Sequence, residues 1–138
     1  VQECNLRVYP AGTVLLAMYG QGQTRGRTAL LQCPAAITQN CAALIPDTHR
    51  ILPKYLFYNL QARYEEIRGQ EYSGGGVPHL NATIVSQLRI PIPSIAEQEI
   101  VISEVDKQRN TLFHLRVMRE DALARSQRIV ASILEETL

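Results

Sequence analysis

The chain has 138 residues, is 46% hydrophobic and carries a formal charge of +1, which is enough apolar material for a folded core. So small a net charge argues neither for nor against a polyanionic partner, but it is unevenly spread. Residues 1–95 hold eight basic and five acidic side chains, and the remainder holds six basic and eight acidic. There is no run of about 18 apolar residues and no signal-peptide pattern, so nothing points to a membrane or to export. Cys4, Cys33 and Cys41 are odd in number, lie in apolar sequence and form no CxxC pair. They are expected to be buried, reduced thiols of a cytoplasmic protein.

Up to about Pro93 the pattern is short. "TVLLAMY" (13–19), "TALLQC" (28–33) and "CAALI" (41–45) are strand-length apolar runs separated by Gly, Pro or Asn. In "PKYLFYNLQARYEEIR" Pro53 suits a first helical turn, and Tyr55, Leu56, Asn59, Leu60, Arg63, Tyr64 and Ile67 recur near 3.6-residue spacing. One helix of about four turns is predicted there, ending at Gly69. "YSGGGVPH" reads as a loop, and Asn81 as the N-cap of a short turn through "ATIVSQ", ahead of a last short apolar run, "LRIPI" (88–92).

At "PIPSIAEQEIV" the character changes. Ser94 and Glu97 form a capping box, and from Ile95 to about Thr137 there is neither Pro nor Gly. One helix of some 40 residues, roughly 60 Å at 1.5 Å per residue, is predicted. Val101, Val105, Leu112, Leu115, Met118, Ala122, Ile129 and Ile133 follow one another mostly by threes and fours, interrupted by Gln108, Arg119 and Ser126. So long a stripe needs a second helix to cover it, and no other segment of this chain is long enough; the alternative is a fraying tail that folds back on the domain.

The stretch "MYGQGQTRGRTALL" (18–31) resembles a phosphate loop at first sight. A Walker A loop needs four residues between its first glycine and the Gly-Lys pair; here five separate Gly20 from Gly26, and Arg27 stands in place of lysine. Gly20, Gly22 and Gly26 also miss the dinucleotide fingerprint, and the next segment, "TALLQC", reads as a strand instead of a helix. Two readings remain open. One is a hairpin whose glycines supply positive φ and whose polar tip is simply hydrated. The other is a nucleic-acid loop, in which arginine forks suit guanine edges or phosphates and glutamine amides suit adenine.

Catalytic signatures are lacking in the sequence. His49, His79 and His114 are far apart, and none adjoins a nucleophile motif; only His79, beside the glycine loop, is a candidate contact. Glu65 and Glu66 are adjacent, so they do not converge on one helix face. No metal cluster is expected, and no cofactor.

Several segments, taken in order, carry a family resemblance: "AGTVLLAMYGQGQTRGR", "TQNCAALIP", "YLFYNL", "SGGGVPHLNATIVSQLRIPIPS" and "EQEIVISEVDK". Together they resemble the C-terminal part of the specificity subunit of a Type I restriction-modification enzyme. The resemblance implies an α+β chain. Residues 1–93 would be a small mixed α/β target recognition domain, N-terminally incomplete, and 94–138 a long spacer helix pairing as an antiparallel coiled coil.

The implied function is non-catalytic recognition of one half of a bipartite site in double-stranded DNA, directing partner methyltransferase (modification) and restriction subunits. A homodimer through the C-terminal helix is implied if the chain is a half-subunit. The candidate DNA contacts are Gln21, Gln23, Thr24, Arg25 and Arg27, with Tyr19 at the loop base, and Lys54, Ser73, Gly74, Gly75 and His79 toward phosphates or a groove edge. Tyr9 and Tyr72 suit core or rim equally, and Glu97 and Gln98 are assigned to capping and packing of the helix start. The helix-packing set is Val101, Val105, Leu112, Leu115, Ala122, Ile129 and Ile133. Two alternatives are the recognition domain of a fused restriction-methylation enzyme and a coiled-coil dimerisation module with a protein-binding head.

Overall fold

The computed structural model describes residues 7–20, 23–70 and 79–136, with side chains as far as residue 133. Five short strands precede four helices: β1 (Val8–Tyr9), β2 (Val14–Ala17), β3 (Thr28–Leu30), β4 (Ala35–Ala36), β5 (Cys41–Leu44), α1 (Pro53–Ala62), α2 (Tyr64–Gly69), α3 (Ala82–Ser86) and α4 (Ile95–Glu136). The chain is therefore α+β. It divides into two compact units, Val1–Ile102 and Ser103–Leu138, so the first two turns of α4 belong with the strands and short helices.

β2 is the centre of a three-stranded antiparallel sheet in the order β3-β2-β5, with Val14 opposite Leu30 on one side and Leu44 on the other. Because side chains alternate across a strand, Val14 and Leu16 share one face and are fully buried, and Met18, Leu30, Ala42 and Leu44 pack against the same cluster. Tyr55, Leu56 and Leu60 of α1, Ile67 of α2 and Leu80 complete it. β1 and β4 form a separate two-stranded ribbon, Val8 opposite Ala36 and Tyr9 opposite Ala35. Tyr9 is half-buried, with the Arg7 guanidinium over its ring.

Two sequence-based expectations need correction. The helix over residues 53–69 is two helices, broken at Arg63 with φ −98° and ψ 19°. The Arg63 guanidinium is drawn away to the Arg89 carbonyl (2.6 Å) and to the Glu66 carboxylate, which fixes the new direction of the chain. The short apolar run at 88–92 is irregular, and Tyr55 Oη donates to the Pro91 carbonyl there. The thiols are not buried as a set: Cys33 is exposed and Cys41 half-buried, since β3 ends at Leu30, short of Cys33. Cys4 lies outside the described residues.

The start of α4 follows its sequence signal. Ser94 Oγ and Ser94 N both donate to Glu97 Oε2, at 2.6 and 2.8 Å, and the Glu97 amide points back to Ser94 Oγ at 3.4 Å. These bonds favour the charged carboxylate and hold the Glu97 pKa below the usual glutamate range. One turn on, Gln98 is completely buried. Its Oε1 accepts from Leu52 N at 2.8 Å, and its Nε2 donates to the Arg50 and Pro93 carbonyls at 2.9 Å each. A single amide thus ties the start of α4 to the turn before α1. It also occupies the amide of Leu52, the N-cap residue of α1, which has no side-chain cap.

Along α4 the seam Val101, Val105, Gln108, Leu112, Leu115, Arg119, Ala122, Ser126, Ile129, Ile133 steps by four and three in strict alternation. A sustained seven-residue period lags the 3.6-residue turn and favours a left-handed supercoil with a partner helix. Leu112 (62%), Leu115 (56%), Ile129 (60%) and Ile133 (57%) are exposed in the single chain.

Candidate nucleic-acid interface

The loop between β2 and β3 is closed at its base by backbone bonds from Ala17 N to the Arg27 carbonyl and from Gly26 N to the Ala17 carbonyl, both 2.9 Å. Gly20 and Gly26 have φ of 136° and 83°, the left-handed region in which side chains are rarely tolerated. At Gly20 the constraint is also steric, because an added Cβ would lie 2.7 Å from Thr24 Cβ. The loop feeds β3, whereas a phosphate-binding loop opens onto the N-terminus of a helix.

Inside the loop, Arg27 is turned back on its neighbour: Nε donates to the Gln23 carbonyl and Nη2 to Gln23 Oε1, each at 2.8 Å. The same Gln23 carbonyl accepts from Tyr64 Oη of α2 at 2.9 Å. Tyr64 Oη in turn accepts from Arg68 Nη1 at 2.7 Å. Gly26 packs on the same two residues; an added Cβ there would sit 3.5 Å from the Tyr64 ring and from Arg68 Cβ. A shallow cleft lined by Gly26, Arg27, Thr28, Gln61 and Tyr64 lies where the loop meets the helices.

The candidate contacts fall into two groups. Gln23, Thr24 and Arg27 are exposed in the loop, Arg25 is half-buried, and Tyr19 at the base is 43% exposed. His79 joins them: its ring stacks on Tyr19 with centroids 5.1 Å apart and planes within 4°, and the Leu80 amide donates to the Met18 carbonyl. The chain therefore re-enters beside the loop base at residue 79. Lys54 stands elsewhere. It lies in the first turn of α1, next to Pro53, which faces Gly12, whereas the loop meets Tyr64 at the start of α2. Gln21, Ser73, Gly74 and Gly75 lie outside the described residues, as do Gly22 and Tyr72.

Tyr64 and Arg68 were not singled out as site residues by sequence reasoning. Tyr64 read as one more position on a helix face, and the only hint was an aromatic and a basic residue one turn apart on the helix that the loop has to pass. His49 and His114 are exposed. Among the described residues, no three His, Cys, Asp or Glu side chains are grouped so as to hold a metal ion, and no helix is long and apolar enough to cross a membrane.

Small sheets with a polar hairpin loop are followed in the chain by one long helix. The family model for the Type I restriction modification DNA specificity domain matches residues 1–113. The chain is 32% identical over 81 residues to the specificity subunit of the Type I restriction enzyme EcoR124I/EcoR124II of Escherichia coli, covering 58% of this chain and 20% of that subunit. It is 30% identical over 100 residues to the MjaIX specificity subunit of Methanocaldococcus jannaschii, covering 72% and 22%. In fold it is similar to a chain solved in a study of complex assembly and conformational transition of the type I R-M system, with a TM-score of 0.73 and 20% identity over 89% of this chain and 29% of that one. The chain belongs to the Type I restriction modification DNA specificity domain family. It spans about a fifth of the length of the relatives it matches.

Proposed function

We propose that this chain recognises one half of a bipartite site in double-stranded DNA, as part of the specificity subunit of a Type I restriction-modification enzyme. The observation that carries the reading is the loop between β2 and β3: Gln23, Thr24 and Arg27 are exposed, on a backbone that is closed at its base and bonded to α2 through the Gln23 carbonyl. Preorganised side chains are what base reading requires, because an edge contact tolerates little misplacement. Tyr19, Gln21, Gln23, Thr24 and Arg25 form the reading set, joined by His79, which stacks on Tyr19, and by Ser73, Gly74 and Gly75 on sequence grounds. Arg27 divides its guanidinium between Gln23 and the ligand. Lys54, in the first turn of α1, serves a backbone phosphate.

The chain carries no catalytic centre in this reading; methylation and cleavage belong to partner modification and restriction subunits, in the cytoplasm. The seven-residue seam of α4 pairs antiparallel with a second helix of the same kind, from a second copy or from elsewhere in a longer subunit. A coiled-coil module with a protein-binding head would share the helix but not bind duplex DNA. Titration of a duplex with the intact protein across a range of salt separates the two. Recognition requires log affinity to fall linearly with log salt, by about one order for each phosphate neutralised per decade of salt; no binding at low salt would remove the reading.

A further inference from the structure

We propose that Tyr64, oriented by Arg68, is a positioning residue for sequence discrimination: it holds the Gln23 carbonyl, and with it the register of the recognition loop, without touching DNA. The inference rests on the DNA-recognition reading and deepens it. Tyr64 Oη has one proton, and its direction is set by the neighbours. Arg68 can only donate, so the hydroxyl accepts from Arg68 Nη1 at 2.7 Å and must spend its own proton on the Gln23 carbonyl at 2.9 Å. That carbonyl also accepts from Arg27 Nε at 2.8 Å. Its two lone pairs are thereby used, one by the loop itself and one by α2.

The post is fixed independently of the loop. Ile67 of α2 is fully buried in the core, and Arg63, at the head of α2, is bonded to the Arg89 carbonyl and to Glu66. Tyr64 and Arg68 lie four residues apart and so project from one face of this anchored helix, and Gly26 rests against both. A loop without this tie would keep its closed base, because the Ala17 to Arg27 and Gly26 to Ala17 bonds do not involve α2. What it would lose is the placement of residues 23–25. Phosphate contacts tolerate such a shift, since a charge acts over several ångströms; base-edge contacts do not.

The test uses the intact protein and the duplex that it selects from a randomised library, with a scrambled duplex for comparison. Tyr64→Phe removes one hydroxyl and leaves the ring on Gly26. The expected result is a loss of about tenfold in the ratio of selected to scrambled affinity, the scale of one hydrogen bond, with the salt dependence and the thermal midpoint close to wild type. Arg68→Met, which leaves the Tyr64 proton without a fixed direction, should lower the same ratio by less. An equal fall for both duplexes, or an unchanged ratio, overturns the positioning role while leaving DNA recognition standing. A wild-type protein that selects no sequence from the library overturns the recognition reading and this inference with it.

Discussion

Gln98 Oε1 lies 2.8 Å from the Leu52 amide, and the two residues are 46 positions apart in the chain. With its Nε2 shared between the Arg50 and Pro93 carbonyls, this fully buried amide joins the start of the long helix to the start of α1. An apolar replacement would leave one donor and two acceptors, all part-buried, without their partner. Gln98→Leu should therefore destabilise the first unit by about 2–3 kcal/mol, the desolvation penalty of buried groups left unpaired. For a domain of this size that corresponds to a fall in thermal midpoint of roughly 10 °C or more. Gln98→Glu is the informative companion, because it retains the acceptor for Leu52 but turns the donor to Arg50 and Pro93 into a third acceptor. It should be no better tolerated than leucine. A melting scan showing either variant within a degree or two of wild type would refute this role.

The capping box gives a pH prediction. Bonds from Ser94 lower the Glu97 pKa, and a bond from Arg63 lowers that of Glu66. A carboxylate whose folded value lies below its unfolded value stabilises the fold above the ordinary glutamate range, and this contribution is lost as pH falls through the folded value. Glu97→Gln should accordingly melt below wild type at neutral pH, with the gap closing on acidification. Ser94→Ala should cost about 1 kcal/mol at neutral pH, as other N-cap losses do. A gap between Glu97→Gln and wild type that widens toward acid would contradict the assignment.

The α4 seam makes a prediction about assembly. Leu115 and Ile129 are more than half exposed in the single chain, so polar replacements there should leave its stability within about 0.5 kcal/mol. If the seam is covered by a second helix, Leu115→Asp with Ile129→Asp should abolish that pairing. Sedimentation of the chain at tens of micromolar is the check. A dimer in wild type that becomes a monomer in the double variant is expected, and a wild-type monomer would count against pairing with a second copy.

Local signals made much of this fold legible. The 42 residues of α4 are free of Pro and Gly behind a capping box, so the whole helix could be read from neighbours in sequence. The same holds for β2, β3 and β5, whose apolar runs end at turn residues, and for Asn81, whose side chain accepts from the Ile84 amide at 2.8 Å. What escaped notice depends on distant partners. The break at Arg63 accompanies a bond to a carbonyl 26 residues away, and the tether from Tyr64 to the loop spans 41 residues. β1 and β4, two residues each, are too short to show any period. For the site, the loop's composition announced a polar tip. The inward turn of Arg27 onto Gln23 and the stacking of His79 on Tyr19 come from folding alone.

The most direct test of the central claim is the affinity of the intact protein for its selected duplex when Arg25→Ala is combined with Arg27→Ala. Loss of Arg25 should cost about 1–3 kcal/mol, borne mainly by the selected sequence if it reaches a base and equally by all sequences if it reaches a phosphate. Loss of Arg27 should add to this by releasing Gln23. The recognition account therefore expects at least a tenfold loss of affinity for the selected duplex, alongside a normal thermal midpoint. A double variant that binds that duplex as tightly as wild type would contradict it.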